Sequence, residues 1–434
     1  MENVLIMGAA GRDFHNFLTY YKNRKDCMVV GFTATQIPGI EKRSFPKSLA
    51  GENYIKDIPI FDEKELSKLI KELKVNTVVF SYSDVLHNEL MQKASIVLAS
   101  GANFKLLGLD TMVESSKPVI AVCAIRTGCG KSQTTRYIAE KLKELGKTVS
   151  VVRHPMPYGD LEKQAVQEFN KMEDLEKQDC TIEEREEYEP LIKAGFTVFA
   201  GVDYEKILRQ AEEKSDIIIW DGGNNDFSFY KANLYITVVD PLRVGHELSY
   251  FPGMVNFLLA DVILINKENV AEEKEIQKLK ENIAKHNPKA VVVDADSVLT
   301  AVGIEKVSGK KVLVIEDGPT LTHGSMLFGA GFKAAEKAGA IIINPLESAV
   351  GSIKETFEKF PLVNKVLPAM GYSKQQINDL QETINSSDAE FVVSGTPIDL
   401  NKVVKSEKEI ITVSYELKER EEKLAGILKE KLRI

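Results

Sequence analysis

The chain has one tryptophan, four cysteines and no excess of basic residues. Its apolar runs stay well short of the ~18 residues that a membrane span requires, which excludes a helical membrane protein. Lys and Arg number 56 against 64 Asp and Glu, a net charge of −8. Nonspecific nucleic-acid binding needs a basic footprint, so nucleic acid is not an expected partner. Cys27, Cys123, Cys129 and Cys180 form no Cys-x-x-Cys pair and no paired framework. The opening residues, MENVLIMGAAGRDF, carry neither a basic stretch nor the apolar core of a signal peptide. Together these absences predict reduced thiols and a cytoplasmic location. Repeats and low-complexity linkers are missing as well.

What is present is an alternation. Short β-branched runs are separated by amphipathic stretches of 10–15 residues, the pattern of an α/β protein with a mostly parallel sheet. For 434 residues, about 150 per domain suggests three units. The breaks in pattern predict a Rossmann-like lobe over 1–116, a P-loop nucleotide-binding domain over 117–308 and a smaller α/β region over 309–434. Leu417, Leu424, Ile427, Leu428 and Leu432 suit one apolar helix face, expected to pack on the third region.

The strongest motif is Arg126-Thr127-Gly128-Cys129-Gly130-Lys131-Ser132-Gln133. It follows the strand-like run VIAVCAI and precedes the helix-like run TTRYIAEKLKELG, the setting a P-loop requires. Gly128 and Gly130 allow backbone N–H groups to turn inward on phosphate oxygens, and the helix N-terminus adds its positive dipole end. Lys131 then reaches the β- and γ-phosphates, and Ser132 ligates Mg²⁺. Ile125 stands where G-x-x-x-x-G-K-[ST] has its first glycine. The loop resembles the deviant K-G-G-x-G-K-[ST] of the SIMIBI class, with Arg126 in the place of the signature lysine. That resemblance implies a second cation on the phosphates, acting within the chain or across a homodimer.

Supporting elements follow in order. Asp216-Ile217-Ile218-Ile219-Trp220-Asp221-Gly222-Gly223 drives an apolar strand into Asp221, a Walker B-type carboxylate for the metal. Asn266-Lys267-Glu268-Asn269 looks like the N-K-x-D base motif of GTPases, with Asn269 in the acidic position, so Asn266 and Lys267 are expected to frame a purine. The run Asp294-Ala295-Asp296-Ser297 is either a second base loop or a plain connector.

Several strand ends carry groups suited to a second, anionic ligand. Arg153 and His154 lie after one strand, with Asp160 beyond them as a further metal ligand or base. Asp240, Arg243 and His246 lie after another, where ligands of open α/β sheets bind. Thr320, Thr322 and His323 follow a strand of the third region. In the first lobe, Gly8, Gly11 and Arg12 form a glycine turn that binds a phosphate or is purely structural, and Ser81-Tyr82-Ser83-Asp84 ends a neighbouring strand. Thr33 occupies the position where a dinucleotide site places an acidic ribose ligand, which counts against an NAD-dependent oxidoreductase.

The set AIRTGCGKSQTTR, VRHPMPYGDLEKQ, WDGGNNDF, DPLRVGHEL, INKENV and EDGPTLTHG is similar to a family of predicted P-loop GTPases labelled cyclic 2,3-diphosphoglycerate synthetase-like. The likeness runs over nearly the whole chain. It implies a nucleotide-dependent enzyme acting on a small anionic metabolite, as in ATP-driven closure of an intramolecular phosphoanhydride. The expected activity is therefore Mg²⁺-dependent use of ATP or GTP to phosphorylate or activate a phosphorylated or carboxylated substrate. Lys131, Arg126, Asp221, Asp160 and His154 are the expected catalytic groups, with Ser132 and Asp221 on the metal. The alternative is a regulatory or metallochaperone-type GTPase with a protein partner.

Overall fold

The computed structural model describes residues 1–9, 11–35, 43–154, 159–223, 226–317, 329–359, 365–369 and 373–433. Thr320, Thr322 and His323 lie outside the described residues, as do parts of the VRHPMPYGD and WDGGNNDF segments. Among the described residues, no helix is long and apolar enough to cross a membrane, and the four cysteines are unpaired.

Three sheets carry the α/β architecture. The first lobe has six strands, with Glu2–Met7 flanked by Cys27–Ala34 on one side and Thr77–Phe80 on the other, all parallel. Strand order reverses at Glu2–Met7, so a crevice opens at its carboxyl end, where the Ser81 N–H donates to the Met7 carbonyl and the Gly8 N–H to that of Thr33.

The central sheet has nine strands. In spatial order they are Val166–Phe169, Thr197–Gly201, Val149–Arg153, Ile217–Asp221, Val119–Ala124, Leu234–Val239, Val262–Ile265, Val291–Thr300 and Ser414–Glu419. Only the two edge strands run antiparallel to their neighbours. Every residue of Val119–Ala124, Ile217–Asp221, Leu234–Val239 and Val262–Ile265 is buried. Sheets covered on both faces read as unbroken apolar runs, which is why these strands were legible. The third region is a smaller parallel sheet built around Lys311–Asp317 and Phe391–Ser394.

Two expectations are corrected. Asp294-Ala295-Asp296-Ser297 is strand rather than loop, because Val291–Thr300 is prolonged by pairing with the tail strand from Ala295↔Glu419 to Thr300↔Ser414. The tail belongs to the central core rather than to the third region. Leu417 lies on that strand, and Leu424, Leu428 and Leu432 of helix Leu424–Leu432 join the core that contains Ile138, Leu142 and Leu279. Glu419 fixes the turn between them by accepting the N–H groups of Lys423 and Leu424, each at 2.9 Å.

The first lobe is stitched to the central domain at two places. Val85–Leu86 pairs with Tyr250–Phe251, and Val113 exchanges backbone hydrogen bonds with Phe229 and Lys231.

Candidate active site

The central strand Val119–Ala124 delivers residues 125–130 to the carboxyl edge of the sheet, directly before helix Lys131–Glu144. Gly128 and Gly130 both take positive φ, +81° and +109°, a region side chains rarely adopt. A Cβ at Gly130 would collide with the Asn266 side chain. The strands on either side place Asp221 and Asp240 at the same edge.

A polar scaffold grips the loop from behind. Asn266 Nδ2 donates to the Cys129 carbonyl at 2.9 Å, and Lys267 Nζ to the Gly128 carbonyl at 2.6 Å. Arg243 donates to the Thr127 carbonyl at 2.8 Å. Asp240, 1% exposed, ties these cations together by accepting from Lys267 at 2.7 Å and Arg243 at 3.1 Å. Burial would raise the Asp240 pKa, but Lys267 and Arg243 outweigh it and hold the group below the usual carboxylate value. The carbonyls of Thr127, Gly128 and Cys129 are engaged by Arg243, Lys267 and Asn266 rather than turned towards a bound anion. Asn266, Lys267, Asp240 and Arg243 are thus brought together as loop supports.

Lys131 is half-buried at the first position of the helix. Burial lowers its pKa and the Asp221 carboxylate opposes that shift. Asp221 is fully buried, and its Oδ1 has no hydrogen-bond partner. Its Oδ2 pairs with Arg153, whose guanidinium also meets Glu187 of helix Ile182–Lys193. The orphaned, buried Asp221 Oδ1 suits a hydrated Mg²⁺; Ser132 and Asp221 would hold it, and it would supply charge neutralisation for a bound nucleotide.

His154 follows Arg153 and is 7% exposed. Its ring lies where a Cβ on Gly11 of the first lobe would approach within 2.7 Å, and its Cβ stands equally close to the corresponding point on Gly223. Burial, then Arg12 and Arg153, push its pKa down to about 3. The imidazole is neutral, and so offers hydrogen bonds rather than charge. Asp160 stands apart: it is exposed and caps its own turn by accepting from Glu162 N at 2.9 Å.

Arg126 is caged within its own chain. Its Nε donates to Asp84 at 2.5 Å, its guanidinium lies 3.8 Å from the Tyr250 ring centroid, and Nη1 lies 3.2 Å from His246 Nδ1. Burial and Arg126 lower the His246 pKa, which leaves that nitrogen an acceptor. Gln133 reaches Ser297 Oγ at 3.3 Å. Asn269, in the base-acidic position, is bonded on both sides to the Ser297 backbone: Nδ2 to O at 2.9 Å and Oδ1 from N at 3.1 Å.

The glycine turn of the first lobe is closed by its own sequence. Asp13 Oδ1 accepts from Gly11 N at 3.0 Å and Phe14 N at 2.7 Å, and a Cβ on Gly8 would lie 2.5 Å from Asp13 Oδ2. Arg12 crosses to the central domain, meeting Asp226 at 2.9 Å and the Phe227 carbonyl, with its guanidinium 3.7 Å from the Phe227 ring centroid. Gly8, Gly11 and Arg12 therefore serve the lobe junction in this structure. The sequence reading missed three groups: Asp13 as internal anion, Tyr250 beneath Arg126, and Glu187 behind Arg153. Asp13 was the readable one, an acid inside the turn itself.

Strand, glycine loop, helix, buried acid and supporting cations define an NTP-dependent synthetase of the P-loop kind, with a mixed α/β fold. The chain belongs to the family of arginine synthetase ArcE. It is 56% identical over 432 residues to that protein of Thermococcus kodakarensis, spanning 99% of this chain and 96% of the relative. A more distant relative is the cyclic 2,3-diphosphoglycerate synthetase of Thermococcus sibiricus, 27% identical over 312 residues, 64% of this chain and 68% of that one. No protein-family model matches the chain. Among solved structures, LpxK from Aquifex aeolicus in complex with ATP aligns over 74% of this chain and 90% of its own, at 15% identity and a TM-score of 0.43.

Proposed function

We propose that this enzyme uses ATP to drive the formation of arginine. The observation that carries the reading is the 56% identity to an arginine synthetase across almost the whole chain. The P-loop geometry supports the nucleotide half. Lys131 and Arg126 stabilise charge on the transferring phosphoryl group, and Ser132 with Asp221 would hold the metal, so catalysis is mainly positioning and charge neutralisation. The γ-phosphoryl group passes to the carbonyl oxygen of a urea-type group on the side chain of an α-amino acid acceptor, as its bond to the β-phosphate breaks. A nitrogen nucleophile then replaces that oxygen, phosphate leaves, and the new C–N bond belongs to arginine. The acceptor approaches on the Arg153–His154 side, where a neutral imidazole adds hydrogen bonds without charge. Adenine is favoured over guanine because both polar ends of the Asn269 side chain are engaged by Ser297, leaving no carboxylate for guanine N1 and N2.

ADP release measured with panels of α-amino acids lacking a guanidinium, each with and without an ammonium donor, tests the proposal, with 2,3-diphosphoglycerate as the comparison acceptor. Arginine formed in step with ADP is the expected result. ADP release on 2,3-diphosphoglycerate with no arginine from any mixture would overturn it.

A further inference from the structure

We propose that Asp84 and the nucleotide compete for Arg126, so that the first lobe senses whether the P-loop is filled; this rests on the nucleotide reading above. Among the described residues, Asp84 is a first-lobe acid bonded to the loop. At φ +59° it holds a backbone conformation that non-glycine residues seldom take. From there its carboxylate accepts both Arg126 Nε at 2.5 Å and the Thr127 N–H at 3.3 Å. The next two residues, Val85 and Leu86, form the two-residue pairing with Tyr250 and Phe251, and Tyr250 also lies beneath the guanidinium. On the far side of that pairing, Gly253 packs so tightly against the Ile125 carbonyl that a Cβ there would collide with it. The lobe seam and the start of the loop are therefore one contact.

That contact has the wrong charge for an arriving triphosphate. Asp84 is 11% exposed, pairs with the cation of the loop's own second position, and acts electrostatically on Lys131 as well. Opposite charges at such short range in a dry site are strongly coupled, and a polyanion with several charges outcompetes a single carboxylate. Once Arg126 turns to the phosphates, Asp84 loses its partner and faces a like charge. The pairing is only two residues long, flanked by the His87 N–H on the Ser249 carbonyl at 3.0 Å and by Phe251 beside Phe80. Asp84 is thus a positioning residue: it fixes Arg126 in one place before nucleotide arrives and yields it afterwards.

The test uses the full chain, a non-hydrolysable ATP analogue, calorimetry and amide hydrogen exchange. In the wild type, exchange in residues 84–87 and 249–252 should quicken when the analogue binds. Asp84→Asn should bind it about tenfold tighter, the scale of one removed unit charge. Its seam should exchange quickly with or without the analogue, and Asp84→Glu should restore wild-type affinity. Seam exchange that slows or stays constant while the analogue binds, or weaker binding by Asp84→Asn, overturns the competition and leaves the P-loop reading intact. No binding by the wild type removes both.

Discussion

Two strand–glycine turn–helix units in this chain look alike and behave differently. In the first lobe, the strand Glu2–Met7 leads through Gly8 and Gly11 into a helix at Arg12; in the central domain, Val119–Ala124 leads through Gly128 and Gly130 into a helix at Lys131. Both turns use glycine at positive φ, and both point helix N-termini at the carboxyl edge of a parallel sheet. The first holds an acid, Asp13, which takes the amides for itself. The second has no acid between Arg126 and Thr135 and begins its helix with a lysine. An amide-lined turn binds the nearest anion. Where the turn itself supplies that anion, it becomes a structural joint; on the second turn the carboxylate comes from Asp84 of the other lobe, onto the Thr127 amide, and a ligand has to displace it.

The largest expected break in this comparison is Lys131→Ala. It should lower nucleotide-dependent turnover by about 10³-fold or more, because transition-state charge is left uncompensated. Steady-state ADP release checks it, and full turnover would contradict the assignment. Asp13→Asn should do the reverse. It removes charge-assisted bonds to two buried amides, so stability should fall by about 1–3 kcal/mol in urea unfolding while nucleotide affinity changes less than about twofold. Loss of nucleotide binding in that variant would put a ligand on the wrong turn.

His154 stands between Gly11 of the first turn and Gly223 just past Asp221, and pH sharpens its part. Its folded pKa, about 3, lies below the ordinary 6.5, so the unfolded chain binds the extra proton between those values. Stability from this residue is complete above pH 6.5 and falls as the solution is acidified towards pH 3, by about 2 kcal/mol at pH 5. His15, shifted down by burial and then Arg12, adds in the same direction. Thermal unfolding of His154→Gln should show a flatter acid limb than the wild type; identical limbs would mean the ring is not held neutral. The smallest effect is expected from Asn269→Asp, which supplies the missing carboxylate: GTP affinity relative to ATP should rise up to about tenfold in a competition titration.

The central sheet was largely readable because its strands are buried on both faces. Val149–Arg153 and Val262–Ile265 appear with the expected bounds, and the expected loop precedes its helix, which starts at Lys131, three residues earlier than the run TTRYIAEKLKELG suggested. The edge strands were not readable. Val166–Phe169 and Ser414–Glu419 alternate between buried and partly exposed residues and take their identity from partners distant in sequence. The tail was misplaced for the same reason: an apolar face at helical spacing says that something covers it, not what. At the site, motif spacing singled out Lys131, Asp221, Asn266 and Lys267, but it assigned Asn266 and Lys267 to a purine, whereas they hold the Cys129 and Gly128 carbonyls. It could not show that Asn266, Lys267 and Arg243 face the back of the loop, or that Asp84 and Tyr250 enclose Arg126, because those relations exist only once strands far apart in sequence, and for Asp84 the other lobe, come together.

Amide hydrogen exchange of the full chain, with and without a non-hydrolysable ATP analogue and Mg²⁺, tests directly which glycine turn receives the triphosphate. Protection should rise over residues 128–134 and remain unchanged over 8–14. Protection gained at 8–14, with none at 128–134, would contradict the account.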